Sequence, residues 1–264
     1  MKLDYFTLLS DEPVRLPYVG NLIPPKLIQI RKVGFSNYNM FLVLLRMTPE
    51  MYYTKIKKDV EYWNLLTKKE KNSLKIYDVI KKEKSLAINY VAMFSFFFEQ
   101  DVFFNDEMFL MLNPEFEHKI SENSINTEKG ELVGIICEEN FKTVLSMISQ
   151  LCYMEYNSDN DEENIKFKNS KAKRLWDKMK KANLQKKTVE DSTRSIPNMI
   201  SSISAQLKID INQVWNWTVF QLYDQFTRIG FCEAQDRNAR SVSVWGDKEG
   251  KFKTSVWCTN YYEK

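Results

Sequence analysis

The run "LAINYVAMFSFFF", Leu86 to Phe98, constrains the fold of this chain more than any other stretch. It is shorter than the roughly 20 residues a membrane-spanning helix requires, and Asn89 and Ser95 interrupt it. As a helix it is apolar on most sides, so it belongs at the centre of a core. Only 7 Gly and 7 Pro occur in 264 residues, which favours long elements over a turn-rich sandwich. A compact chain of this length buries roughly 75% of its unfolded surface and needs neither disulfide nor metal to be stable. A hydrophobic fraction of 44% and an aromatic fraction of 14% exclude a disordered chain.

The punctuation around the central run is helical. Pro25 sits at a first-turn position ahead of Leu27, Ile28, Ile30 and Val33, with Gly34 closing the segment. Ser36 is placed to cap the next helix, with apolar residues at Met40, Phe41, Leu44, Leu45 and Met47. Thr48 and Pro49 restart the pattern, and Thr67 with Glu70 has capping-box spacing. Short apolar runs then predict strands at Met108–Leu112, Phe116–Ile120 and Leu132–Ile136 in a small antiparallel sheet. In "CEENFKTVLSMISQLCYM", Phe141, Val144, Leu145, Ile148, Leu151 and Cys152 share one helical face.

The clearest boundary is "NSDNDEEN", Asn157 to Asn164, polar and acidic with no apolar residue. Residues 1–156 are expected to form an N-terminal α+β domain, 157–170 an acidic linker and 171–264 a helical C-terminal domain. The fold class expected is α+β, mainly α-helical, with the small antiparallel sheet in the N-terminal part. Past the linker the charge inverts. Lysines and Arg174 crowd the span from Lys166 to Lys187, while Ala172, Leu175, Trp176 and Met179 keep helical spacing. The tail around "GDKEG" fits either a hairpin or a helix ending near Gly246.

Little in the sequence points to chemistry. The net charge of +3 and pI of about 8.4 are milder than the usual nucleic-acid footprint. His118 is the one histidine, and its setting in "PEFEHKIS" fits a solvated strand residue. Cys137, Cys152, Cys232 and Cys258 form no C-x-x-C pair and suit reduced, partly buried thiols. No G-x-S-x-G, H-E-x-x-H, phosphate-loop or dinucleotide motif occurs. The acidic residues of 159–163 lack the Gly and the closing Glu of a calcium loop. The chain is therefore expected to be no enzyme, with no catalytic residue, metal or cofactor. The N-terminus shows no secretory signal, and a cytoplasmic protein without membrane attachment is expected.

The basic helix is the strongest functional candidate on physics alone. Lys171, Arg174, Lys178 and Lys181 form a face able to contact phosphate backbones. Asp177 interrupts that face and the linker beside it is acidic, so a surface helix docked on its own domain is the favoured reading.

A second candidate is "DINQVWNWTVFQLYDQFTRI", Asp210 to Ile229. Asp210 and Gln213 have cap spacing, Ile209 and Val214 have staple spacing, and Arg228 with Gly230 marks an end. One helix of about 28 Å is expected. Trp215, Val219, Leu222, Phe226 and Ile229 form a seam at spacings of three and four, with Phe220 widening it. That makes a core helix and leaves Trp217 and Tyr223 beside the seam, available to a partner.

The phrase "QVWNWTVFQLYDQFTRI" resembles the C-terminal signature of tail-assembly-chaperone-like proteins of long-tailed phages of low-GC Gram-positive bacteria. In the same order come "PPKLIQIRKVGFSNYNMFLVLLRMTPEMYY", "GELVGIICEENFKTVLSMI", "AKRLWDKMKK" and "SVSVWGDKEGKF", with Trp257 near the end. The resemblance spans nearly the whole chain. It implies a non-enzymatic assembly protein in the host cytoplasm that binds apolar helical segments of the phage tape-measure protein or other tail proteins. The family carries no catalytic residue to transfer. On this expectation Trp217, Tyr223 and Trp176 contact the partner. The alternative is a nucleic-acid-associated phage protein using the basic helix 171–187.

Overall fold

The computed structural model of the chain describes residues 2–113, 130–154 and 195–247, together with 250, 252–254, 256–258, 260 and 262. The strand expected at Phe116–Ile120, His118, the linker 157–170 and the basic helix with Trp176 lie outside the described residues. The chain divides into two compact units, Met1–Tyr156 and Asn157–Lys264. Its class is α+β, mainly helical with a small antiparallel sheet in the N-terminal part.

The first unit begins with α1 (Tyr5–Leu9), capped where Asp4 Oδ1 accepts from Thr7 N at 2.8 Å. A two-stranded antiparallel ribbon follows, β1 (Val14–Leu16) and β2 (Gly20–Leu22). Next come α2 (Leu27–Val33) and α3 (Phe35–Leu45), joined at Gly34, whose φ of 91° suits glycine. Ser36 therefore lies inside the first turn of α3 and does not cap it; the chain enters that helix directly from the Gly34 bend. Phe41, Leu44, Leu45 and Met47 are buried as expected, whereas Met40 faces outward.

Thr48 caps α4 (Pro49–Met51), accepting from Met51 N at 3.1 Å, and α4 runs into a π-helical turn, Tyr52–Ile56. Three short helices follow: α5 (Val60–Leu65), α6 (Lys68–Ser73) and α7 (Ile76–Lys82). The capping box at α6 forms as expected, with Thr67 N donating to Glu70 Oε2 at 2.8 Å and Glu70 N to Thr67 Oγ1 at 3.3 Å.

Helix α8 (Lys84–Phe97) is the centre of the unit. Tyr90, Met93, Phe94 and Phe97 are fully buried. It packs against α3, α7 and the strand that follows it. The sheet is antiparallel in the order β3 (Asp101–Phe104), β4 (Phe109–Leu112), β5 (Leu132–Ile136). Phe104 pairs with Phe109 and Phe109 with Ile136, so these residues share the face turned to α8.

Rings interlock there. Phe94 lies 5.0 Å from Phe109, and Phe141 lies 5.5 Å from Tyr90 and 5.0 Å from Tyr77. The two tyrosines keep their hydroxyls satisfied: Tyr90 donates to Leu44 O at 2.9 Å, and the Tyr77 hydroxyl lies 3.1 Å from Ile136 O. Phe141 belongs to α9 (Glu138–Leu151), whose expected apolar face is buried in full. The loop before β2 closes on β5, where Ile135 N donates to Tyr18 O at 2.9 Å. That approach needs Gly134, since a Cβ there would sit 2.4 Å from Tyr18 O.

The second unit holds α10 (Ile196–Leu207), α11 (Ile211–Val214), α12 (Val219–Trp245) and a 3₁₀ turn at Val256–Cys258.

Removing the Phe94 ring leaves a cavity among fixed aromatic neighbours, so Phe94→Ala should destabilise the first unit by about 3–5 kcal/mol. Ile88→Ala on the exposed side of α8 should change stability by no more than about 0.5 kcal/mol. Denaturant unfolding of both variants checks this.

Candidate functional site

The second unit is built around two N-terminal caps eight residues apart. Helix α10 starts at Ser195 with Pro197 in its first turn and buries Met199, Ile200 and Ile203. It ends at Lys208, in the left-handed region with φ 54°. Ser204 then ties down the connection, its hydroxyl donating to Ile209 O at 2.8 Å. Asp210 is a cap, as expected: its Oδ1 accepts from Asn212 N at 2.9 Å. The helix it starts is only α11.

The single helix expected from Asp210 to Ile229 is therefore two. The chain turns at Trp215–Trp217, where Trp217 N donates to Val214 O at 3.0 Å. Thr218 then opens α12 with a reciprocal capping box. Gln221 N donates to Thr218 Oγ1 at 3.1 Å and Thr218 N to Gln221 Oε1 at 2.9 Å. Thr218 is fully buried, so this cap is part of the packed interior. Nor does α12 stop at Gly230. It passes through that residue, which has open space around it, and ends where Gly246 takes φ 77° and its N–H closes on Val242 O at 2.8 Å. Of the two tail readings, the helix ending near Gly246 is the one observed.

Burial along α12 is uneven. Val219, Phe220 and Leu222 are core, and Asp224 is fully buried beside them. Asp224 Oδ2 accepts from Arg228 Nε at 3.1 Å, one turn on. Beyond Asp224 the helix has no buried residue. Trp215, Phe226 and Ile229, assigned to the core seam by spacing, are only half-buried.

Further along, Phe231, Ala234, Ala239 and Val242 form a half-buried stripe at spacings of three to five. The tail lies against the same helix: Gln235 Nε2 donates to Lys253 O at 2.8 Å and Arg228 Nη1 to Trp257 O at 3.4 Å. Phe220 meets Tyr262 edge-on at 5.6 Å. Past the stripe, Val244 and Trp245 are 69% and 76% exposed.

Trp217 and Tyr223 both lie at the N-terminal end of α12, Trp217 in the turn before the cap and Tyr223 inside the helix. Both are half-buried. Trp176, Lys171, Arg174, Lys178 and Lys181 lie outside the described residues. Sequence reasoning missed Val244, Trp245 and the stripe below them. The alternation in "SVSVW" admitted a strand, and Gly230 marked an end the helix ignores.

Among the described residues no group of His, Cys, Asp or Glu could hold a metal ion. Burial pushes the Cys152 thiol up to about 12, so it stays protonated and inert. Cys232 and Cys258 are exposed and in no disulfide. No helix among the described residues is long and apolar enough to cross a membrane.

Two family models match parts of the chain. One, described as YomV second domain, matches residues 185–262, the segment that holds α10, α11 and α12. YomV is a Bacillus phage-region protein, so this match suggests a phage-derived chain. The other, described as an RNA binding motif, matches residues 129–196. Its described part holds one strand, β5, and one helix, α9. That strand carries no aromatic residue, whereas such motifs stack bases on aromatic side chains of their sheet. No curated protein and no solved structure matches the chain.

Thr218→Ala removes a buried cap whose loss orphans the Gln221 amide. It should cost about 1–2 kcal/mol, and Asp210→Ala, at the start of the four-residue α11, should cost less. Thermal unfolding followed by circular dichroism measures both.

Proposed function

We propose that the chain is a non-enzymatic phage tail-assembly accessory protein, a chaperone that holds apolar helical segments of the tape-measure protein during tail morphogenesis. The observation that carries this reading is α12: a 27-residue helix, about 40 Å long, whose buried residues all fall in its first turns. The remainder presents a half-buried stripe and two large exposed apolar side chains. A partner helix laid along Phe231, Ala234, Ala239 and Val242 would meet anchors at helical spacing. The two alanines would let its backbone come close. Trp217 and Tyr223 would lie at one end of that track and Trp245 at the other. The YomV second-domain match over this segment supports a phage origin, and the resemblance of the ordered phrases to tail-assembly-chaperone-like proteins suggests the partner.

Co-expression with a tape-measure fragment tests the proposal. The full chain should raise the fragment's soluble yield and co-purify with it. The double variant Val244→Asp and Trp245→Asp, at exposed positions, should fold normally and recover roughly tenfold less fragment, as expected when hot-spot side chains are lost. No gain in solubility and no co-purification would overturn the reading.

The RNA binding motif match favours a second reading, nucleic-acid association through Lys171, Arg174, Lys178 and Lys181, all within residues 129–196. The two readings separate on charge. Neutralising these four residues should leave fragment recovery unchanged under the first and abolish salt-sensitive nucleic-acid binding under the second.

A further inference from the structure

Residues 52–84 carry ten lysines against five carboxylates, a net charge of +5 where the whole chain has +3. The rest of the chain sums to a small negative charge although residues 166–187 carry a second basic run, and the run at 52–84 extends from the π-helical turn through α5, α6 and α7 to the start of α8. Four of the five carboxylates are engaged locally. Asp59 Oδ1 accepts from Tyr62 N, Glu70 Oε2 from Thr67 N and Asp78 Oδ2 from Lys75 N, each at a helix start. Glu83 pairs with Lys57 at 2.5 Å. Lys55, Lys58, Lys68, Lys69 and Lys82 are exposed and in no ion pair among the described residues.

Aromatic rings are set among these lysines. Tyr53 lies 4.8 Å from Tyr62 and stacks on Trp63 at 6.2 Å with an interplanar angle of 18°. Lys71 Nζ sits 5.3 Å from the Trp63 centroid and Lys57 Nζ 5.6 Å from that of Tyr53. Tyr53 is buried, and desolvation pushes its hydroxyl up to about 12, so it stays neutral beneath the others. Tyr62 is 40% exposed. It lines an open groove of about 420 Å³ together with Leu66, Leu74, Lys81 and Lys82. Glu70 and Asp78 also line this groove, each held on the backbone amide it caps.

We infer that this lysine-rich aromatic surface binds single-stranded nucleic acid, with Tyr62 as a stacking platform and the exposed lysines along the phosphate backbone. An exposed ring set among exposed lysines is what sequence-tolerant single-strand binding requires. Duplex reading is disfavoured because α5, α6 and α7 have six or seven residues each, too short to lie along a major groove as a recognition helix. The same shortness leaves no long apolar face for a lipid surface, although Ile56 and Leu65 are exposed nearby. The inference stands apart from both readings above: it uses neither the α12 stripe nor residues 171–187.

The test is binding of the full chain to a fluorescent oligo-dT of about 20 nucleotides, over a salt series from about 50 mM. Wild type should bind at the lowest salt, prefer the single strand to a duplex of the same length, and weaken steeply as salt rises. The variant K58Q/K68Q/K69Q/K82Q should flatten the slope of log affinity against log salt by about 0.7 per lysine removed. Tyr62→Ala should lower affinity by roughly tenfold and Tyr62→Phe should restore it. All these positions are exposed, and an unchanged melting curve confirms folding.

No binding at the lowest salt would overturn the inference. So would equal binding by the quadruple variant together with loss in K171Q/R174Q/K178Q/K181Q, which moves the contact to residues 171–187. Capture by phosphatidylserine vesicles without oligonucleotide binding would overturn it in favour of a lipid surface. None of these outcomes bears on recovery of the tape-measure fragment.

Discussion

The first unit depends on the burial of α8 among aromatic rings. Phe94 and Tyr90 face both the sheet and α9, so the helix is not laid on a surface but enclosed by one. This explains why so small a sheet suffices. Besides their own ladder, its three strands are held by the burial of Phe109 and Ile136 in the same core as α8 and α9. The buried hydroxyls of Tyr90 and Tyr77 lie against carbonyls of α3 and β5, so each ring also ties α8 or α7 to a neighbour. A ring without such a partner in this interior would carry an unsatisfied hydroxyl, at a cost of about 1–3 kcal/mol.

Much of this was legible in the sequence, and the misses have identifiable causes. The apolar run of α8, the face of α9, the Thr48–Pro49 start and the Thr67–Glu70 box all agree with local pattern and global packing. The ribbon β1–β2 was not legible, because three-residue strands show no period. β3 was missed although Asn105 supplies a turn signal, its Oδ1 accepting from Met108 N at 2.8 Å. The largest miss is at Asp210. The sequence holds two cap-and-glutamine pairs, Asp210 with Gln213 and Thr218 with Gln221, and pattern alone favoured the first. The second starts the long helix because both halves of its box close and the threonine is buried with the core. Gly230 does not end that helix, since a mid-helix glycine costs only about 1 kcal/mol and the backbone leaves helical geometry only at Gly246, with φ 77°.

Whole-chain charge also concealed something. A net +3 is mild, yet it sums a local +5 at residues 52–84, a local +9 at residues 166–187 and a net −11 over the rest. Lys171 to Lys187 drew attention because its lysines are close in sequence. The stretch from Lys55 to Lys84 is interrupted by capping carboxylates, and only the hydrogen bonds reveal that those are spent on backbone amides. Likewise Trp217 and Tyr223 were singled out because they fall off a seam, while the exposed end of α12 was hidden behind a false stop. The two units thus present surfaces of different chemistry, apolar on the second and basic with aromatics on the first.

The central claim is that α12 is half core and half contact surface. Amide hydrogen exchange along residues 219–245 tests it most directly, because exchange reports local opening turn by turn. In the free chain the amides of residues 222–229 should be strongly protected, and those of 231–245 should exchange at least tenfold faster. Addition of a tape-measure segment should slow exchange across 231–245 and leave the first turns unchanged. Uniform protection along the whole helix in the free chain, or no change in 231–245 when the segment is added, would contradict the account.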